Sequence, residues 1–103
     1  MRYFPPAVLD RRIRFALVGC GRIAANHFAA IDKHSDRCEL VGVADVDQRR
    51  ATEAAAATGA RPYASLTDML ARCDADAVIV ATPSGLHPEQ AVEIARAGRH
   101  VIT

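Results

Sequence analysis

A chain of 103 residues with a formal net charge of +1 is long enough for one small domain with a modest core. Half of its residues are hydrophobic, which excludes a disordered chain, and the near balance of acids and bases gives nucleic acid no electrostatic foothold. The three cysteines, Cys20, Cys38 and Cys73, show neither C-x-x-C nor metal-ligand spacing, so no metal site is expected and a reducing cytoplasm is. The N-terminus lacks the apolar core of a signal peptide, and no later run is long enough to cross a bilayer. The expectation is a cytoplasmic domain with neither a membrane nor a nucleic-acid partner.

Residues 1–12 read as an irregular arm. Pro5-Pro6 cannot donate to a sheet ladder, Asp10-Arg11-Arg12 is charged and solvated, and Tyr3 and Phe4 tuck against the domain. Ile13 to Val18 follows as an apolar strand of the kind buried on both faces of a parallel sheet. It runs into Gly19-Cys20-Gly21-Arg22-Ile23-Ala24, a G-x-G-x-x-A turn. Gly19 allows the tight exit from the strand, and Gly21 lacks the Cβ that would block a phosphate. Ala24 is the third small position, where a helix packs closely on the strand, and the helix start offers free N–H groups to an anion. Ala24, Phe28 and Ile31 make the apolar stripe of that helix, and His34-Ser35-Asp36 ends it.

Glu39 to Asp45 reads as the second strand. It ends on an acid about two dozen residues past the first glycine, where a carboxylate accepts ribose hydroxyls and repels a 2′-phosphate. Asp47 is the better N-cap for the alanine-rich helix Gln48 to Thr58, which Gly59 stops. Arg50 could approach the adenine end of a cofactor, but reads first as an exposed helical arginine. Arg61-Pro62-Tyr63 is a short edge strand, because proline is tolerated there and not centrally. Ser65-Leu66-Thr67-Asp68 resembles a capping box and opens a helix through Ala71.

Asp76 to Thr82 reads as the fourth strand, and Thr82-Pro83-Ser84-Gly85-Leu86-His87-Pro88 as the loop leaving it. Pro88 suits N1 of the next helix, with His87 beside its N-cap, and that helix stops at Gly98. His100 begins a fifth strand. Alternating strands and helices with short turns imply an α/β, Rossmann-type doubly wound parallel sheet with helices on both faces. The first strand would be central with the fourth beside it. The crevice between their C-terminal ends would then bring Gly19-Cys20-Gly21 and Thr82-Pro83-Ser84 to one edge.

Three stretches together resemble the N-terminal domain of the Gfo/Idh/MocA oxidoreductases. They are Ala16 to Ala24 with His27 just beyond, Val43-Ala44-Asp45, and Thr82-Pro83-Ser84-Gly85-Leu86-His87. The resemblance extends over residues 13–103 and implies an NAD-binding domain there. It implies that Gly19, Gly21, Arg22 and Ile23 line the pyrophosphate, that Asp45 holds the adenosine ribose, and that Thr82, Pro83, Ser84 and His87 lie along the nicotinamide half. His87 is read equally as an imidazole that orients the loop, and His27 as a packing residue. Within the family, Arg12 to Ala24 and Asn26-His27-Phe28 resemble the WlbA-like dehydrogenases of polysaccharide synthesis, which oxidise the 3-hydroxyl of a UDP-N-acetylglucosaminuronic acid.

Family members continue into a Glu-Lys-Pro motif and an α+β substrate domain. Thr103 stands immediately before that motif would come. Catalytic residues are therefore expected beyond Thr103 and none is assigned within the chain. The expected whole is an NAD-dependent dehydrogenase, homo-oligomeric at full length, that takes a sugar or nucleotide sugar through its second domain. A non-catalytic dinucleotide sensor is the alternative, and an S-adenosylmethionine site a third reading of the same glycine turn.

Overall fold

A computed structural model describes residues 11–103; the earlier part of the arm, with Tyr3, Phe4 and Pro5-Pro6, lies outside the described residues. Five parallel strands stand in the order β3-β2-β1-β4-β5. They are β1 (Ile13–Val18), β2 (Cys38–Ala44), β3 (Arg61–Tyr63), β4 (Ala77–Val80) and β5 (His100–Ile102). The helices between them are α1 (Ala24–Lys33), α2 (Gln48–Thr58), α3 (Leu66–Arg72) and α4 (His87–Arg96). β1 is central with β4 beside it and β3 at an edge, as the alternation predicts.

The two faces of the sheet follow from the period of two along each strand. On one face Leu17 and Ile79 meet Ala24, with Phe28 and Ile31 of α1 packed against them; Val43 meets Ala54 of α2 and Ala60. On the other, Ala16, Val18, Val78 and Val80 lie under Leu66 and Met69 of α3 and Ile94 of α4. Leu17, Ile94 and Val78 are fully buried, each worth about 1.5–3 kcal/mol in apolar surface removed from water. The helix faces therefore belong to consecutive pairs, α1 and α2 on one side, α3 and α4 on the other.

Local signals set most of the boundaries. The Asp47 carboxylate accepts the N–H groups of Arg49 and Arg50, and the Ser65 hydroxyl accepts that of Asp68, so both N-caps form as the side chains dictate. Gly59 ends α2 in the left-handed conformation at φ 80°.

Several boundaries differ from the sequence reading. β2 runs one residue earlier, leaving Asp45 just past the ladder. β4 is shorter at both ends, because its pairing with β1 stops at Val18–Val80 and the chain then turns toward α4. α3 runs one residue past the expected Ala71, to Arg72. A single 3-10 turn occupies Ser84–Leu86 within the expected loop, and His87 is itself the first residue of α4.

β1 is buried only in its second half, and Arg11 and Arg12 are not merely solvated. Arg11 grips Asp76 through two 2.8 Å bonds, and Arg12 reaches Glu39 at 2.8 Å. These pairs pin the start of β1 against the starts of β4 and β2.

Candidate functional site

The C-terminal ends of β1, β2 and β4 converge on one crevice edge. Gly19 leaves β1 at φ 97°, a conformation that side chains rarely adopt, and its N–H is taken by the Ala44 carbonyl at 2.8 Å. A Cβ on Gly19 would lie 2.7 Å from both the Ala81 carbonyl carbon and the Thr82 nitrogen. The glycine is thus required twice, for its backbone angle and because the strand-four loop touches it. Gly21 differs. A Cβ there would meet only the Arg50 guanidinium, at 3.8 Å, so the space over this glycine is open.

The N–H groups sort the turn further. That of Cys20 goes to the Asp45 carboxylate at 2.8 Å, and those of Ala24, Ala25 and Asn26 fold back on the carbonyls of Gly21, Arg22 and Ile23. No protein acceptor among the described residues takes the N–H of Gly21, Arg22 or Ile23. The N-cap position of α1 is Ile23, which has no side-chain oxygen to cap the helix. A run of unpaired donors at the positive end of a ten-residue helix is suited to an anion such as a pyrophosphate.

Asp45 is half-buried at the second wall. One carboxylate oxygen accepts the Cys20 N–H and the other the Asp47 N–H, each at 2.8 Å. The side chain is thereby fixed, and each oxygen keeps a lone pair for a further donor. Capping of α2 falls to Asp47, as the sequence reading assigns it. Val46, next to Asp45, is 90% exposed and lays apolar surface beside the carboxylate.

The third wall is Thr82. Its carbonyl accepts Nε2–H of His87 at 2.6 Å, and its hydroxyl donates to Oε1 of Gln90. His87 therefore orients the loop from within α4. Pro83 and Ser84 are exposed at the rim, where the Pro83 carbonyl accepts the Leu86 N–H at 3.0 Å. The side chains of Arg22 and Ile23 are exposed as well, so what these two bring to the crevice is backbone.

Cys20 lies inside the turn, but burial and the neighbouring Asp45 charge push its thiol up to about 11. It is a neutral packing group at ordinary pH and no nucleophile. Among the described residues no cluster of His, Cys, Asp and Glu could hold a metal ion. A separate groove of about 590 Å³ opens between α1 and α2 at the N-terminal end of the sheet, lined by Phe28, Ile31 and Leu40. None of the predicted site residues lines it.

The sequence reading missed Gln90 and discounted Arg50. The signal for Gln90 was its place three residues after His87, on the same face of a helix. That for Arg50 was its place in the first turn of the helix that Asp45 and Asp47 introduce.

Residues 13–103 match the family GFO_IDH_MocA, described as an oxidoreductase family with an NAD-binding Rossmann fold. The chain belongs to this family. Its glycine turn, Asp45 and the Thr82-Pro83 loop meet at the C-terminal ends of β1, β2 and β4. A WlbA dehydrogenase from Chromobacterium violaceum, solved in complex with NADH and UDP-GlcNAcA, is 60% identical with a TM-score of 0.92. The match covers 98% of this chain and 29% of that one. The WlbA dehydrogenase from Bordetella pertussis, solved with the same two ligands, is 62% identical with a TM-score of 0.87, over 88% of this chain and 28% of that one.

Among curated relatives, the 4-carboxy-2-hydroxymuconate-6-semialdehyde dehydrogenase of Sphingobium sp. is 39% identical over 86% of this chain and 28% of its own length. An inositol 2-dehydrogenase of Saccharopolyspora erythraea is 32% identical over 86% and 26%. The Gfo/Idh/MocA chain described here thus spans under a third of the length of these relatives. No helix among the described residues is long and apolar enough to cross a membrane.

Proposed function

We propose that this chain is the NAD-holding part of a dehydrogenase that oxidises a sugar hydroxyl by hydride transfer, with the 3-hydroxyl of a UDP-N-acetylhexosaminuronate as the preferred target. The observation that carries the cofactor reading is the row of unpaired N–H groups at Gly21, Arg22 and Ile23 beside a fixed Asp45. The substrate reading rests on the 60% and 62% identity to two enzymes solved with NADH and UDP-GlcNAcA.

In this reading Gly21, Arg22 and Ile23 bind the pyrophosphate through their backbone, and Gly19 brings the strand-four loop against the turn. Asp45 takes the adenosine ribose hydroxyls on its free lone pairs and repels a 2′-phosphate, which favours NAD over NADP. Val46 and the Arg50 guanidinium flank the adenosine end. Thr82, Pro83, Ser84 and His87 form the wall along the nicotinamide half. NAD, when bound, supplies the hydride acceptor; the protein's part here is grip, orientation and exclusion of water. The proton from the sugar hydroxyl needs a base near the operating pH, and no residue of this chain is assigned that part. In the same reading the whole enzyme works in the cytoplasm as a homo-oligomer.

Titrating the chain with NAD and with NADP tests the cofactor assignment, and NAD should bind the more tightly. No binding of either, or a preference for NADP, overturns it. Assaying the full gene product for NADH formation on UDP-N-acetylglucosaminuronic acid tests the substrate. NAD binding without turnover on any sugar substrate would favour the sensor reading over the enzyme.

A further inference from the structure

Thr82, where the loop after β4 packs on the glycine turn, is held by side chains of α4. The Thr82 nitrogen lies 2.7 Å from where a Gly19 Cβ would stand, so the two backbones pack on each other and a movement of Thr82 is felt directly at the glycine turn. Pro83 and Ser84 follow it exposed, without a side-chain hydrogen bond among the described residues. Thr82 is fixed instead from the first turn of α4. His87 holds its carbonyl through Nε2–H, and Gln90 accepts its hydroxyl proton on Oε1.

These two residues sit three apart on one helix face, so they act as a pair. The helix that carries them is itself anchored. Ile94 is fully buried beneath Val78 and Val80, and Glu93 accepts the Thr67 hydroxyl of α3 at 2.6 Å.

We propose that Gln90 is a positioning residue of the cofactor crevice, acting with His87 to hold Thr82 at the distance from Gly19 that the nicotinamide half of a dinucleotide requires. The proposal rests on the NAD reading above. The physical reason is that a threonine hydroxyl left unbonded turns freely and lets its backbone drift, whereas one committed to Gln90 fixes the side chain and, through it, the loop. A glutamine suits the task because its amide oxygen accepts while adding no charge beside the cofactor.

The test compares Gln90→Met, which keeps the shape and loses the acceptor, with Gln90→Glu, which keeps an accepting oxygen. NAD affinity of the chain should fall about three- to tenfold in Gln90→Met, the effect of one lost side-chain hydrogen bond. In Gln90→Glu the loss should be smaller than in Gln90→Met, the added charge keeping it short of the parent, and Thr82→Val should match Gln90→Met. The double variant Thr82→Val with Gln90→Met should be no worse than either single change, because both remove one interaction. Additive losses in the double variant, or a glutamate that rescues nothing, overturn the proposal.

A second readout needs no cofactor. Nitrogen NMR of the His87 ring should show slow exchange of its Nε2 proton in the parent and about tenfold faster exchange in Gln90→Met. If the parent binds no NAD, the cofactor reading falls while this measurement still decides whether Gln90 fixes Thr82. Unchanged exchange in Gln90→Met refutes the positioning role.

Discussion

The two ends of this parallel sheet are built on opposite principles. At the N-terminal end three arginines are each held on a carboxylate: Arg11 on Asp76, Arg12 on Glu39, and Arg14 on Asp74 at 2.6 Å. At the C-terminal end the acid Asp45 makes no ion pair among the described residues and binds backbone N–H groups instead. Beside it the donors of Gly21, Arg22 and Ile23 have no protein acceptor among the described residues. Unpaired backbone donors cost stability unless water or a ligand takes them, so the first end is finished and the second holds binding capacity in reserve. Perturbing either end should therefore show in different measurements.

The largest separation is expected within the glycine turn itself. Gly19→Ala drives a Cβ into the Ala81–Thr82 backbone and forces a left-handed φ on alanine, so about 2–4 kcal/mol of stability should be lost and NAD binding with it. Gly21→Ala meets no backbone, and its melting temperature should stay close to the parent's. Its NAD affinity should nevertheless fall about tenfold or more, since the new methyl occupies phosphate space. Thermal melting alongside calorimetric titration checks both. A Gly21→Ala chain that binds NAD normally would remove the turn from the site.

Asp45→Ala comes next. It deletes the acceptor for two backbone N–H groups and for the ribose, and should weaken NAD by about 1–3 kcal/mol. Relative affinity for NADP should rise, because the charge opposing a 2′-phosphate is gone. Titrations with both cofactors decide it, and an unchanged NAD to NADP ratio would break the assignment.

How much of this was readable beforehand depends on the range of the interaction. Both N-caps and the Gly59 stop follow from contacts a few residues apart, and the side chains announce them; the strand order joins residues as distant as Phe15 and Ala77 and was legible only through the strand–helix alternation and its right-handed crossovers. The Asp45 bond to Cys20 joins two strands, and the sequence marks the acid without revealing that its oxygens are partly spent on the turn. Gln90 looks like any polar residue of an amphipathic helix until the loop folds back and places Thr82 against it. Arg99 is similar: its guanidinium donates to the carbonyls of Ala75, Leu70 and Cys73, closing the end of α3 from the far side of α4. Periodicity finds faces; it does not find which polar group on a face will meet a distant carbonyl.

At the finished end the expected effect is on stability alone. Asp76 is held down at about 2 from its usual 3.8, first by the Arg11 hydrogen bonds and then by the Arg14 N–H, against an opposing cost of burial. A depressed folded-state value means the stabilisation is complete above the unfolded value and is lost as pH falls from about 4 through about 2. Asp76→Asn should cost about 1 kcal/mol at neutral pH, discounted for partial exposure, and should flatten the acid limb of a stability-versus-pH curve. NAD affinity should not move. A coupled loss of binding would mean that the two ends are not separable.

The smallest effect belongs to Arg50, where the division between the ends is least sharp. Its guanidinium is 3.8 Å from the space over Gly21, yet it also lies 3.8 Å from Asp47, and its side chain is 60% exposed. A cation so placed is largely screened, so Arg50→Ala should weaken NAD by only about 0.5–1 kcal/mol at low salt. Raising the ionic strength should erase most of that difference, because an exposed charge acting on a phosphate or ribose is screened within about 10 Å at 0.1 M salt. Melting should be unaffected, since the Asp47–Arg50 contact is long and exposed. A loss that persists at high salt would show that Arg50 makes a desolvated hydrogen bond to the cofactor, and would place the first turn of α2 inside the crevice rather than at its rim.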